Sequence, residues 1–347
     1  MSLHDPSAPR KPSRLWLYLP FALLLVAAAI WSAFWFWART EAQGRMDAAA
    51  ADLAKAGYQI SWGRRSLGGY PFRLDVTLAD AVVRDPSGWA LQAPLLEGEA
   101  YLYAPTSWIL AAPQGLTFVR PLGGPVTVRA KNLRASLRQL DAKPPSFSFE
   151  AVEPSFEPSA GAQPFALQSA ARVEFHLRSG PDDEGGVFLR VDNGRARPGA
   201  LLGRIAGDKA VQLAWNSVLS KMSAFSGRDW PDAVARWTDA GGAVIVRPGS
   251  QLVAGDAQAV VRTGRLGVGR DGRLRGVLET DLRQAPMALE ALAAAGAVPK
   301  EAAEAAGAVA AARQSGEAAR AAVSFEAGRT TLGPVSLGPA PRVYAPR

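Results

Sequence analysis

Hydrophobic and polar positions divide the chain into three regimes. The first, "LWLYLPFALLLVAAAIWSAFWFWA" (15–38), holds no charged residue across 24 positions. As a helix it would run roughly 36 Å, enough to cross a hydrocarbon core of about 30 Å. Trp16 and Tyr18 near one end and Trp31, Trp35 and Trp37 near the other predict aromatic anchors at the two membrane interfaces. Pro20 falls in the first turn or two, where a lost hydrogen bond costs least. Residues 39–57, rich in alanine and ending in Gly57, predict a membrane-proximal helix with a glycine stop.

The second regime alternates. Tyr58, Ile60 and Trp62, then Leu74, Val76 and Leu78, are separated by polar neighbours, as in half-buried strands. Between them "GGYPF" (69–72 preceded by Gly68) reads as a structural corner formed by Gly68, Gly69 and Pro71. Glycine supplies backbone angles closed to other residues there, and Pro71, lacking an N–H, belongs at a strand start or edge. Further strands are predicted at 93–105, 115–121, 124–137 and 147–159. A hairpin over 171–196 turns at "SGPDDEGG", so residues 58–200 form a first β-rich part.

The third regime has helical spacing. In 201–240, Val211, Ala214, Trp215, Val218 and Met222 form one stripe, and "WPDAVARWTDAGG" has Pro231 near its start and glycines at its end. Strands then resume over 241–347, interrupted by alanine-rich helices at 286–298 and 299–322. The fold class expected is α+β and β-dominated. A transmembrane helix leads into a long curved antiparallel sheet with packed helices, and no short fixed repeat points to a solenoid.

Charge sets the orientation. Arg10, Lys11 and Arg14 precede the span, and Arg39 and Arg45 follow it. The positive-inside rule therefore puts the tail 1–14 in the cytoplasm and the bulk of the chain beyond the membrane. The apolar run is too long, and too aromatic at its end, for a cleaved signal peptide, so 15–38 reads as a signal anchor. The formal charge of +8 comes from 39 basic and 31 acidic residues scattered without a dense run. That pattern suits a lipid bilayer with anionic headgroups and argues against nucleic acid. The absence of cysteine removes disulfides and thiolate chemistry.

Candidate chemistry is sparse. Of the two histidines, His4 lies in the tail and His176 on the polar face of a strand, where a Ser-His-Asp hydrolase would have to use it. "GVGRDG" (267–272) matches the dinucleotide fingerprint in letters but leads into a strand pattern, so it reads as a hairpin turn. "DPSG" (85–88) and the pair Asp182 and Asp183 read as turns too. No catalytic residue, metal site or cofactor is expected, and the chain does not read as an enzyme.

The blocks "GYPFRLDVTLADAVVRDPSG", "APLLEGEAYLYAPTSWILAAPQGLTFVRP" and "GRTTLGPVSLGPAP", after an N-terminal anchor, resemble the bacterial domain-of-unknown-function family 2125 (DUF2125). The run P-x-R-L-x-V-x-L followed by P-x-G-L-x-F also looks like AsmA-type envelope proteins. That likeness implies a single-pass inner-membrane protein with its bulk in the periplasm. It further implies envelope biogenesis or lipid handling through an apolar groove in the sheet, with lipid or acyl chains as ligand. The alternatives are an envelope module that docks proteins and carries no ligand, and a hydrolase built on His176.

Overall fold

The computed structural model describes residues 15–142, 144–315 and 318–345, with side chains from residue 17 onward except those of 314 and 315. The tail 1–14, with Arg10, Lys11 and Arg14, and the side chain of Trp16 lie outside the described residues.

One helix, α1 (Leu15–Lys55), replaces the two expected segments; it passes unbroken through Ala38 and Arg39. Nothing in "WARTEAQGR" breaks a helix, so the apolar span and the alanine-rich segment propagate as one. It is long and apolar enough to cross a membrane. Its stop is where glycine placed it. Gly57 has φ 92°, the Tyr58 amide reaches the Leu53 carbonyl, and the Gly57 amide reaches that of Ala54.

An antiparallel sheet follows. Its strands are β1 (Gln59–Ser61), β2 (Arg64–Gly68), β3 (Arg73–Arg84), β4 (Ala90–Tyr101), β5 (Trp108–Ala111), β6 (Leu116–Arg120), β7 (Gly124–Arg129), β8 (Asn132–Arg138), β9 (Ser146–Val152), β10 (Ser155–Pro158), β11 (Leu167–Ser169), β12 (Arg172–Ser179) and β13 (Gly185–Ala196). After α2 (Leu201–Ala206) come β14 (Val211–Leu219), α3 (Trp230–Asp239), β15 (Val244–Val246), β16 (Gln251–Ala254), β17 (Ala257–Val268) and β18 (Leu274–Arg283). The chain ends with α4 (Ala285–Ala294), α5 (Lys300–Ala312), β19 (Gln314–Ser315), β20 (Ala318–Glu326), β21 (Arg329–Leu332) and β22 (Val335–Pro339). Both strand-rich stretches belong to this one sheet, because β13 pairs with β14 through most of its length.

The sheet is an up-and-down meander with a fold line across it. Strands expected to be single are split in two at the same level: 124–137 is β7 and β8, and 147–159 is β9 and β10. On one side of the line β4 pairs with β6 through Ala90–Gln92, and on the other with β5 through Glu97–Glu99. The line is marked by residues unfit for a flat ladder. Asp80, Glu153 and Asn193 have φ of 52°, 52° and 46°. Pro94, Pro113, Pro154 and Pro248 lie along it and have no N–H to give. At Gly115, φ is 80°, and a Cβ would stand 2.5 Å from the Val128 carbonyl oxygen. Hydrogen bonds still join neighbouring strands along the line, from the amides of Ala112, Lys131 and Glu153 to the carbonyls of Leu133, Val152 and Ala171. The sheet therefore bends without tearing and closes into a barrel around an apolar interior.

Two stretches expected to be helical are strands. Residues 211–219 form β14 because Val211, Leu213, Trp215, Ser217 and Leu219 also alternate. Ser217 breaks the apolar pattern yet is buried, its hydroxyl accepting from the Trp215 indole N–H at 3.0 Å. Residues 318–322, expected within a helix over 299–322, open β20, where Ala319, Ala321 and Phe325 are buried at alternate positions and the strand pairs with β18. True helices match their signals. α3 starts after Asp229, whose carboxylate caps the Asp232 amide, and buries Trp237. α5 turns Ala303, Ala306 and Ala310 inward.

Candidate functional site

The alternation puts apolar residues on the concave face in cross-strand rows. On one side of the fold line, Leu110, Ala135 and Phe149 are in register across β5, β8 and β9, and Leu133, Ala151 and Val173 across β8, β9 and β12. On the other side Leu116, Val128 and Phe156 align across β6, β7 and β10, with Phe118 opposite Val126. Folding turns these rows toward one another. They enclose a cavity of about 490 Å³, lined almost wholly by hydrocarbon. That is about three times the 150 Å³ apolar cavity known to stay dry and accept benzene, and within the usual range of small-molecule pockets.

Gln92 and Arg134 are the polar residues at its lining, and the Arg134 guanidinium lies on the opposite face of the sheet, held by Glu150 at 2.8 and 2.6 Å. Among the described residues no set of polar groups converges inside to orient a reacting bond. Val83 and Leu91, cross-strand partners, line the cavity and are 45% and 50% exposed, so they mark its mouth. A second apolar cavity of about 190 Å³ lies beneath α4, against Leu252, Leu282 and Leu332. It is too small for a ligand of ordinary size.

The convex face is polar. Glu150 binds Arg134 and Arg172 together, and the Arg134 hydrogen bond, opposed by desolvation and joined by that of Arg172, holds its carboxyl below the usual carboxylate range. His176 belongs to this face. Its Nδ1 lies 2.9 Å from the Ser148 hydroxyl, and its ring stacks on Phe188. Among the described residues no carboxylate is hydrogen-bonded to this imidazole, whereas a Ser-His-Asp site relies on one to orient the ring. Asp183 accepts from the Ser223 amide and hydroxyl, at 2.6 and 2.8 Å, and so ties the turn to the next segment. "GVGRDG" spans the end of β17 and the turn into β18. Among the described residues no group of three or more His, Asp or Glu could hold a metal ion.

Two sets of residues singled out separately in the sequence meet in space. The Trp31 indole N–H donates to the Pro71 carbonyl at 2.7 Å, and the Trp35 indole to that of Arg73 at 2.8 Å. The Ser32 and Tyr70 hydroxyls share a hydrogen bond of 2.9 Å. Trp35, expected to face the membrane interface, is only 4% exposed, because the β2–β3 hairpin covers it and Tyr70 meets it edge-on. Tyr18, Trp31 and Trp37 remain open. Within the corner, Gly69 has φ 93° and a Cβ there would come within 2.7 Å of the Arg73 carbonyl, while nothing crowds Gly68. Pro71 lies two positions before the start of β3 and accepts through its carbonyl. The docking was not legible in the sequence, although a hydroxyl-bearing Ser32 amid the apolar run was its one signal.

The family model described as an uncharacterized protein conserved in bacteria (DUF2125) matches residues 35–341, and the chain belongs to that family. No curated protein and no solved structure matches. The broader likeness to AsmA-type envelope proteins rests on the sequence blocks alone.

Proposed function

We propose that the protein is a single-pass membrane protein whose folded sheet holds one acyl chain in its interior. The N-terminus is cytoplasmic, and the body stands on the far side of the inner membrane, in the periplasm. The observation that carries this reading is the cavity of about 490 Å³ between the two halves of the sheet. Its hydrocarbon lining favours a long apolar ligand without selecting a polar head, since burial of apolar area is the available driving force. A closed core would have filled this space with side chains, as protein interiors do.

The position of the mouth supports transfer over storage. β1 pairs with the end of β3 at Val82–Arg84, just past the end of α1. From Trp35 to Lys55 a helix rises roughly 30 Å. A chain entering past Val83 and Leu91, which line one edge of the opening, therefore arrives or leaves on the side away from the bilayer.

The test uses the full-length chain in nanodiscs, given a free fatty acid with a diazirine near its terminal methyl. Irradiation and peptide mapping should place adducts on β8 and β9, around Leu133–Ala135 and Phe147–Ala151. Ala135→Phe, which fills the cavity, should remove them. Adducts confined to α1 and unchanged in the variant would overturn the reading.

A further inference from the structure

We infer that the end of the sheet nearest α1 is itself a bilayer-binding surface, with Tyr70, Phe72, Tyr101 and Tyr103 seated in the membrane interface. This rests on the anchored reading above.

The height of the hairpin is fixed by α1. The charge-free run ends at Ala38. A core of about 30 Å takes up about 20 residues of a helix, which puts Trp31 to Trp37 at the outer interface. The carbonyls of Pro71 and Arg73 are hydrogen-bonded to Trp31 and Trp35, so the tip of the hairpin lies at that level. A second contact sets its direction: the Arg65 guanidinium grips both oxygens of Asp47, at 2.7 and 3.1 Å, farther along the helix. β2 and β3 thus run beside α1, and the turn between them points at the bilayer.

What the turn presents fits that place. Tyr70 and Phe72 are 56% and 59% exposed, although the carbonyls of Pro71 and Arg73 beside them are hydrogen-bonded to α1. The segment after β4 joins them through the Leu102 amide, which donates to the Phe72 carbonyl at 3.1 Å. It brings Tyr103, 75% exposed, stacked on Tyr101 with ring centroids 5.0 Å apart. In water this cluster leaves four large rings unburied. In the interface each ring reaches hydrocarbon, while the phenol hydroxyls of Tyr101 and Tyr103 stay among the headgroups and that of Tyr70 is held by Ser32. Charge is not the main attraction, because Arg73 is already engaged with Asp75 and Glu99. The surface is read as one that enters bilayers of zwitterionic lipid.

The chain has no cysteine, so single spin labels report without background. Full-length Tyr103→Cys and Phe72→Cys variants, labelled in phosphatidylcholine nanodiscs, are compared with Leu24→Cys inside the apolar run and Leu122→Cys at the far end of the sheet. Collision with oxygen and with a polar nickel chelate gives the depth of each label. The inference expects Leu24 deep, Tyr103 and Phe72 at the interface with oxygen collisions at least twofold above those of Leu122, and Leu122 in water. Leu24 deep with both Tyr103 and Phe72 in water overturns the surface and leaves the anchor standing. Leu24 in water overturns both. Phe72 is paired with Tyr103 because Tyr103 lies outside the β2–β3 hairpin, its ring stacked on Tyr101, so its replacement spares the hairpin's own residues.

Discussion

Trp35 and Arg73, 38 positions apart, are joined by an indole N–H donated to a backbone carbonyl at 2.8 Å, and the indole is nearly sealed from solvent. Through this pair the helix that carries the apolar run and the sheet that carries the cavity form one body. Trp35→Phe keeps a six-membered aromatic ring but loses the pyrrole ring with its N–H, which removes this donor from the Arg73 carbonyl. It should cost about 1–3 kcal/mol locally, seen as faster hydrogen exchange at residues 69–73 with little change in β13 or β17. Unchanged exchange at the hairpin would mean the contact holds nothing.

Gly115 sits where β5 gives way to β6 and its backbone lies in the left-handed region. Gly115→Ala puts a methyl group against the Val128 carbonyl and should destabilise by about 1–3 kcal/mol. Glu153→Gly, at the same fold line with φ 52°, should be neutral or stabilising. Denaturant midpoints of the two variants moving in the same direction would contradict the idea that these angles build the fold line.

Leu133 is buried at the wall of the cavity. Leu133→Ala should cost about 2–5 kcal/mol, and it should enlarge the space available to an apolar ligand. Saturating fatty acid should recover part of that loss in a thermal melt, more than it adds to the unmodified chain. Equal shifts in the two proteins would place the ligand elsewhere.

Glu150 has a depressed carboxyl through Arg134 and Arg172, so its contribution is present above the unfolded carboxylate value and is lost as pH falls through the lower folded one. Replacing it by glutamine should cost about 1 kcal/mol at neutral pH. The gap between the two proteins should stay flat down to about pH 5 and close in stronger acid. A gap that widens on acidification would show the opposite sign.

The alternating strands, the hairpin turns at 180–184 and 269–273, the apolar span and α3 were all readable from local spacing. The rest depends on contacts that spacing does not encode. β14 carries a stripe compatible with both periods, and its inward Ser217 is acceptable only because Trp215 supplies a partner. Pro113, Glu153 and Pro154 look like ordinary turn residues until the neighbouring strands are seen to bend at the same level. The cavity follows from that bend. Phe118 and Phe149 face one space only once the fold line brings their separate ladders together.

The most direct measurement is native mass spectrometry of the full-length chain released from micelles after incubation with palmitate. The unmodified protein should retain a single fatty acid, and Ala135→Phe, at an equal melting temperature, should retain none. The same adduct on both proteins would contradict an acyl chain held inside the folded sheet.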